Sequence, residues 1–127
     1  MTAPSILIVE DNPRNRKLLR DVLGHAGYRT LEASSAEEGL LLARSERPAL
    51  VLMDIQLPGI DGVEGLARLR ADEDTAAIPV VAVTAFAMKD DRERFLSAGF
   101  DDYVEKPINV RELPARVAAL LPREAPA

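Results

Sequence analysis

The chain has 127 residues, which suits a single domain, and 47% of them are hydrophobic while 29% are charged. Its net charge of −5, from 21 acidic and 16 basic residues, argues against the basic surface that a nucleic-acid-binding protein needs. The sequence shows no run near the ~20 apolar residues of a membrane span and no signal-peptide pattern, and its lack of cysteine is compatible with the cytoplasm. We expect a cytoplasmic protein without a nucleic-acid or membrane partner, and we expect it to be a monomer.

Apolar runs alternate with helical patterns five times, which predicts an α/β fold built on a parallel sheet. In chain order the predicted strands are 5–9, 28–33, 49–53, 79–83 and 102–105. The first four predicted helices are 13–26, 36–46, 63–71 and 87–98. A fifth helix carries the apolar residues Val110, Leu113, Val117, Leu120 and Leu121.

Local signals mark several of these helices. Asn12 before Pro13 is typical of a helix start, and Ser35 with Glu38 three residues later is typical of a capping box. Pro114 removes a backbone hydrogen bond if the last helix begins near residue 109, so we expect a late start or an irregular first turn.

Two further helices differ in their apolar content. The third helix is predicted to bury Val63, Leu66 and Ala67 on one face. The fourth helix, 87–98, has few apolar residues, so we expect it to dock weakly and to be the mobile one.

The composition of the strands predicts their order. The first, third and fourth strands are uniformly apolar, as strands covered on both faces are, whereas the second and fifth carry charged residues that suit sheet edges. This favours the doubly wound, flavodoxin-like order 2-1-3-4-5, with a switch point between the first and third strands. Glu10 and Asp11 follow the first strand and Asp54 follows the third, so these carboxylates are expected to meet at that crevice.

The chemistry of such a crevice is restricted. Three carboxylates repel one another unless a cation lies among them, and oxygen ligands of this kind suit Mg²⁺. Thr84 and Lys106 follow the fourth and fifth strands, so a hydroxyl and an ammonium group are expected at the same edge. Asp54 can therefore be a metal ligand or a nucleophile toward phosphorus, and the whole set can form an acceptor site for a phosphoryl group.

These motifs, in this order and spacing, resemble the receiver domain of two-component response regulators over about residues 5–121: Glu10-Asp11, Asp54, Thr84-Ala85 and Lys106-Pro107. The resemblance implies the CheY-like, five-stranded form of the fold. Residues 54–58 and 79–89 look most similar to stand-alone regulators of the DivK kind.

The resemblance implies a role for each matching residue. Asp54 is expected to accept a phosphoryl group from a phosphohistidine on a histidine kinase or a phosphotransfer protein. Glu10, Asp11, Asp54 and the backbone carbonyl of Gln56 are expected to hold Mg²⁺. Lys106 is expected to pair with the phosphoryl group and to precede a cis peptide bond at Pro107.

Further implied roles concern switching and the lifetime of the modified state. Thr84 is expected to bond the new phosphoryl group, and Tyr103 is expected to turn inward when Thr84 shifts. The downstream regulator is then expected to bind the fourth helix, the fifth strand and the fifth helix. Gln56 and Phe86, each two residues beyond a site residue, are expected to set the phosphate lifetime, with Phe86 shielding the acyl phosphate.

We therefore expect a receiver domain over residues 1–121 and a short tail over 122–127 without an output domain, acting as an interaction switch in cell-cycle or developmental control. One alternative is a phosphate shuttle toward a histidine phosphotransfer protein. A second is a Mg²⁺-dependent phosphohydrolase, but Gln56 stands where such enzymes have a second acid, so we do not expect a turnover enzyme. A third is a transcription regulator whose DNA-binding half lies elsewhere. His25, the single histidine, is expected to be structural.

Overall fold

A computed structural model describes residues 4–85 and 89–121 of the chain. Its strands are β1 (Ser5–Val9), β2 (Arg29–Ala33), β3 (Leu50–Asp54), β4 (Val80–Thr84) and β5 (Asp102–Glu105). Its helices are α1 (Pro13–His25), α2 (Ala36–Glu46), α3 (Gly62–Ala71), α4 (Lys89–Ala98) and α5 (Leu113–Leu120). The strands form one parallel sheet in the order β2-β1-β3-β4-β5, which confirms the predicted order.

The hydrophobic core lies on both faces of the sheet, because successive side chains of a strand point to opposite sides. On one face, alternate residues of β1, β3 and β4 pack against α2, α3 and α4, and the buried residues include Val9, Met53, Ala82, Ala43, Leu66 and Phe95. On the other face the remaining strand residues pack against α1 and α5, and the buried residues include Ile8, Leu52, Val83, Leu19, Leu23 and Val117. None of the helices within residues 4–85 and 89–121 is long and apolar enough to cross a bilayer.

The predicted start signals of the first two helices are confirmed. The Asn12 side chain accepts hydrogen bonds from the backbone N–H groups of Arg14 and Asn15, and Pro13 is the first helical residue. The Ser35 hydroxyl oxygen accepts from the Glu38 N–H at the start of α2.

The last helix begins late, as predicted. The Asn109 side chain accepts from the N–H groups of Arg111 and Glu112, which closes a turn ahead of the helix. The helix itself begins at Leu113, so Pro114 lies in its first turn, where a missing N–H leaves no intrahelical bond unmade.

The prediction for α3 was wrong at one residue, and part of the prediction for α4 falls outside the described residues. In α3 the buried positions are Gly62, Gly65, Leu66 and Leu69, whereas Ala67 is exposed, so the prediction for Ala67 was wrong. The helix α4 is described from Lys89, and the predicted start at residue 87 lies outside the described residues. Phe95 is the buried anchor of α4 and packs edge-to-face on Phe100, with ring centroids 6.2 Å apart.

Candidate functional site

The site is assembled at the carboxyl ends of β1 and β3, which are adjacent in the sheet. Val9 is paired with Met53, so the residues that follow them, Glu10 and Asp54, leave neighbouring strands side by side. Glu10 is 1% exposed and Asp54 is 3% exposed, whereas Asp11 is exposed to solvent. One carboxylate oxygen from each of the three residues lies within 4.8 Å of the other two.

Lys106 brings the positive charge that these carboxylates require. Its Nζ donates a hydrogen bond to Asp54 Oδ2 at 2.9 Å and lies 2.8 Å from Glu10 Oε1. The approach to Glu10 Oε1 is outside hydrogen-bonding geometry, so this buried oxygen is paired by charge and has no directed hydrogen bond. The peptide bond between Lys106 and Pro107 is cis, as the resemblance implied.

The environment also sets the protonation of Lys106. Burial lowers the pKa of its ammonium, but the hydrogen bond to Asp54 and the close negative charges of Asp54 and Glu10 outweigh burial, so the pKa is raised above its usual value. Lys106 therefore remains a cation at neutral pH.

Backbone contacts fix the loops that carry the acids. Asp54 Oδ1 accepts from the Gln56 N–H at 3.1 Å, and Glu10 Oε2 accepts from the Asn12 N–H at 3.3 Å. The helix α3 begins directly against the end of β3. The approach is so close that a Cβ added to Gly62 would lie 2.3 Å from the Asp54 carbonyl oxygen. Only glycine allows this close approach, which holds the chain after Asp54 in a tight return.

The predicted switch residues Thr84 and Tyr103 lie at the carboxyl end of β4 and within β5. Thr84 is 1% exposed, and its carbonyl accepts from the Lys106 N–H at 2.8 Å, which ties the two strand ends together. Tyr103 is half-buried, packs against the core beneath α4, and has the Arg92 guanidinium 5.3 Å from its ring centroid. The Tyr103 carbonyl accepts from Arg116 of α5 at 2.7 Å. Phe86 lies outside the described residues.

One residue that supports the site, Arg16, was not predicted from the sequence. Arg16 Nη1 contacts the backbone carbonyls of Glu10 at 3.1 Å and Asp11 at 3.5 Å. A usable signal was present, because Arg16 follows the Asn12 cap by one turn and helical side chains lean toward the helix N-terminus. His25 lies exposed in the last turn of α1, so it does not belong to this cluster.

The donor set fits a divalent cation that prefers oxygen ligands. Three carboxylates and one ammonium leave the cluster with a net charge of −2, and one buried carboxylate oxygen of Glu10 has no directed hydrogen bond. Carboxylate oxygens are ligands that Mg²⁺ takes together with water and phosphate oxygens.

A doubly wound parallel sheet with clustered acids and a lysine at its switch point defines the class of this protein, which is the receiver domain of two-component signalling. The chain belongs to that family, because the model of the response regulator receiver domain matches residues 6–118.

Within the family, the chain resembles a particular type of regulator. It is 51% identical over 106 residues to the polar-differentiation response regulator DivK of Brucella ovis, and the match covers 84% of this chain and 86% of the relative.

Two solved structures are similar to this chain in fold. The receiver domain of the sensor histidine kinase PA1611 of Pseudomonas aeruginosa, solved with a magnesium ion coordinated in its active-site cleft, is 34% identical, with a TM-score of 0.86 over 94% of this chain and 98% of that one. The chemotaxis protein CheY4 of Vibrio cholerae is 22% identical, with a TM-score of 0.87 over 95% of this chain and 100% of that one, and it shows the shared CheY-like fold.

Proposed function

We propose that this chain is a single-domain response regulator that accepts a phosphoryl group on Asp54 from a phosphohistidine of a histidine kinase or a phosphotransfer protein. One observation carries the proposal. Buried Asp54 accepts a hydrogen bond from Lys106 Nζ at 2.9 Å, and one of its oxygens lies within 4.8 Å of oxygens of two further carboxylates. A carboxylate in this setting is fixed in direction and has positive charge beside it, as attack on phosphorus requires.

The transfer forms one bond and breaks another. An oxygen of Asp54 bonds to phosphorus while the phosphorus–nitrogen bond of the phosphohistidine breaks, and the bonding pair leaves with the imidazole nitrogen. The product on this chain is an aspartyl phosphate. Lys106 pairs with the new phosphoryl oxygens, and the Thr84 hydroxyl donates to one of them. The chain accepts one group and acts as a signalling protein, not as a turnover enzyme.

The same residues support a role for Mg²⁺. Glu10, Asp11 and Asp54, with the backbone carbonyl of Gln56, would hold the ion, and the net negative charge of the cluster supports this. When bound, the ion supplies positive charge beside the phosphoryl oxygens during transfer. Gln56 and Phe86 set the lifetime of the product, since each lies two residues beyond a residue that contacts the phosphoryl group.

The output is a change of binding surface. Phosphorylation draws Thr84 toward the phosphoryl group, Tyr103 turns inward, and α4 docks differently. The half-buried Tyr103 ring beneath the Arg92 guanidinium supports this coupling, because the ring already contacts α4. A downstream protein then binds the surface formed by α4, β5 and α5. The likeness to DivK supports cell-cycle or developmental control as the setting, with the receiver domain over 1–121 and a tail over 122–127.

Intact mass after incubation with acetyl phosphate and Mg²⁺ tests the proposal. We expect one added phosphoryl group on the wild-type chain, none on Asp54→Asn, and an unchanged yield on His25→Ala, which removes the single histidine. Modification of Asp54→Asn, or no modification of the wild-type chain, contradicts the proposal.

Two further measurements separate the finer functions. Rapid loss of phosphate to an added histidine phosphotransfer protein would identify a shuttle, whereas sustained release of phosphate from a phosphomonoester would identify a phosphohydrolase. The switch can be followed in fluorotyrosine-labelled protein, because the chain has two tyrosines and Tyr28→Phe assigns the signal of Tyr103. A Tyr103 resonance that is unmoved by phosphorylation contradicts the switch.

A further inference from the structure

Arg16 holds the loop that carries two of the three clustered acids. Its Nη1 donates to the backbone carbonyl of Glu10 at 3.1 Å and lies 3.5 Å from that of Asp11. The guanidinium contacts only the main chain of Glu10 and Asp11, so the carboxylates of these residues remain free to face the acidic cluster and bind a cation. Its own side chain is 24% exposed, which makes it one of the more protected cations of α1.

A second contact orients the guanidinium. Arg16 Nε lies 3.5 Å from Glu32 Oε1 on the edge strand β2, and Arg20 Nη1 lies 3.2 Å from the other oxygen of the same carboxylate. Glu32 is shared by the two arginines and offsets part of the charge of Arg16, which reduces the repulsion between the guanidinium and an incoming cation. The Glu10 N–H donates to the Ala33 carbonyl at 3.0 Å, which attaches the loop to the end of the same strand.

The need for such a support follows from the charges. Glu10, Asp11 and Asp54 repel one another before any cation binds, and Lys106 neutralises only one of the three. Repulsion favours movement of the exposed Asp11 loop away from the crevice, and binding of a cation to a displaced loop would include the cost of bringing it back. A contact that keeps the loop in place removes that cost from binding.

We propose that Arg16 is a positioning residue: through the carbonyls of Glu10 and Asp11, and oriented by Glu32, it keeps the acidic loop in the geometry that receives a divalent cation. The proposal rests on the Mg²⁺ site proposed above. It gives Arg16 no contact with the cation or with the phosphoryl group.

Calorimetric titration of the full chain with Mg²⁺ tests this role, with Arg16→Gln and Arg20→Gln as a matched pair. Both arginines contact Glu32, but in the described residues only Arg16 donates to the loop carbonyls. We expect the Kd for Mg²⁺ to rise by about 10-fold in Arg16→Gln, as when a support of a metal ligand is lost, and by less than about 2-fold in Arg20→Gln. Arg16→Lys retains the charge but has a single donor nitrogen in place of the planar guanidinium, so its Kd is expected between those of Arg16→Gln and the wild-type chain.

The dependence of phosphorylation on Mg²⁺ separates positioning from general stability. In Arg16→Gln the Mg²⁺ concentration that gives half the maximal rate with acetyl phosphate is expected to rise with the Kd, while the rate at saturating Mg²⁺ stays near that of the wild-type chain. A wild-type Kd in Arg16→Gln or in Arg16→Lys overturns the role of Arg16. Equal increases in Arg16→Gln and Arg20→Gln also overturn it, since they point to an effect that both arginines share through Glu32, whereas loss of positive charge alone would lower the Kd. No binding to the wild-type chain overturns the metal site itself, and the positioning role with it.

Discussion

Replacing Asp11 with asparagine is expected to change stability in opposite directions without and with Mg²⁺. In the proposed site the Asp11 carboxylate has an oxygen within 4.8 Å of oxygens of Glu10 and Asp54, where two unit charges repel by about 0.9 kcal/mol in water and about 3.5 kcal/mol at an effective dielectric constant of about 20. Asp11 is exposed, so the lower value applies to each pair. The attraction of Lys106 offsets about one of the two repulsions, so metal-free Asp11→Asn is expected to be about 1 kcal/mol more stable than the wild-type chain.

Mg²⁺ reverses this order, because the asparagine is a weaker ligand than the carboxylate. At an ion concentration of about 100 times the wild-type Kd, binding stabilises the wild-type chain by about 2.7 kcal/mol. A variant that binds about 100-fold more weakly gains only about 0.4 kcal/mol at the same concentration. The wild-type chain is then the more stable of the two by about 1 kcal/mol.

Urea unfolding followed by circular dichroism, in a chelator and in Mg²⁺, measures both effects. Asp21→Asn is the matched control, since it removes an exposed carboxylate of α1 that pairs with Lys17. Its effect is expected to be the same in both solutions. If Asp11→Asn destabilises the metal-free chain, or if Mg²⁺ stabilises it as much as the wild-type chain, the electrostatic reasoning about the cluster is wrong.

Other parts of the structure give further predictions that unfolding measurements can check. The pKa of Lys106 is raised in the folded state, so its ion pairs contribute fully to the free energy of unfolding below the unfolded pKa of about 10.4. This contribution is lost as the pH rises through the higher folded pKa. The metal-free wild-type chain is therefore expected to lose stability at alkaline pH in a step that Lys106→Met lacks. Arg70→Ala removes hydrogen bonds to three backbone carbonyls and one carboxylate and is expected to lower the free energy of unfolding by about 2–4 kcal/mol. Arg68→Ala removes one exposed ion pair and is expected to lower it by less than about 0.5 kcal/mol. Similar losses of stability in the two variants would contradict this difference. Gly62→Ala places a Cβ 2.3 Å from a backbone oxygen and is expected to lower the free energy of unfolding by more than about 2 kcal/mol. Gly24→Ala places a Cβ with nothing within 4 Å and is expected to stabilise α1 by about 0.5–1 kcal/mol. A Gly62→Ala variant that is more stable than the wild-type chain would refute the close approach.

The sheet could be predicted from the sequence because burial constrains composition strongly. The strands β1, β3 and β4 are buried along nearly their whole length, and their uniform apolar runs indicated central positions. The edge strands β2 and β5 are only partly buried and carry charged residues such as Glu32 and Asp102. Once the order was set, the parallel direction of the strands brought Asp54 and Lys106 to one edge although 52 residues separate them.

Other features depend on contacts that a one-dimensional pattern does not contain. The apolar face of α3 runs through Gly62, Leu66 and Leu69, and Ala67 lies about 100° further around the helix, so its small apolar side chain faces solvent. Arg16 and Arg70 act on backbone carbonyls, which every residue possesses, so no partner residue type indicates these contacts. For Arg16 the sequence offers only its position, one turn after the Asn12 cap. The Arg70 contact with the Gly99 carbonyl joins positions 29 residues apart and becomes visible only when α3 and the loop between α4 and β5 are placed together.

The proposed function requires that one acid, Asp54, receives the phosphoryl group. Borohydride reduces an aspartyl phosphate to homoserine, and mass spectrometry of the resulting peptides locates that residue in the chain. After treatment with acetyl phosphate and Mg²⁺ we predict homoserine at position 54 and at no other position. A reduced side chain at Glu10 or Asp11, or no reduced residue in a protein that had gained a phosphoryl group, would contradict the account.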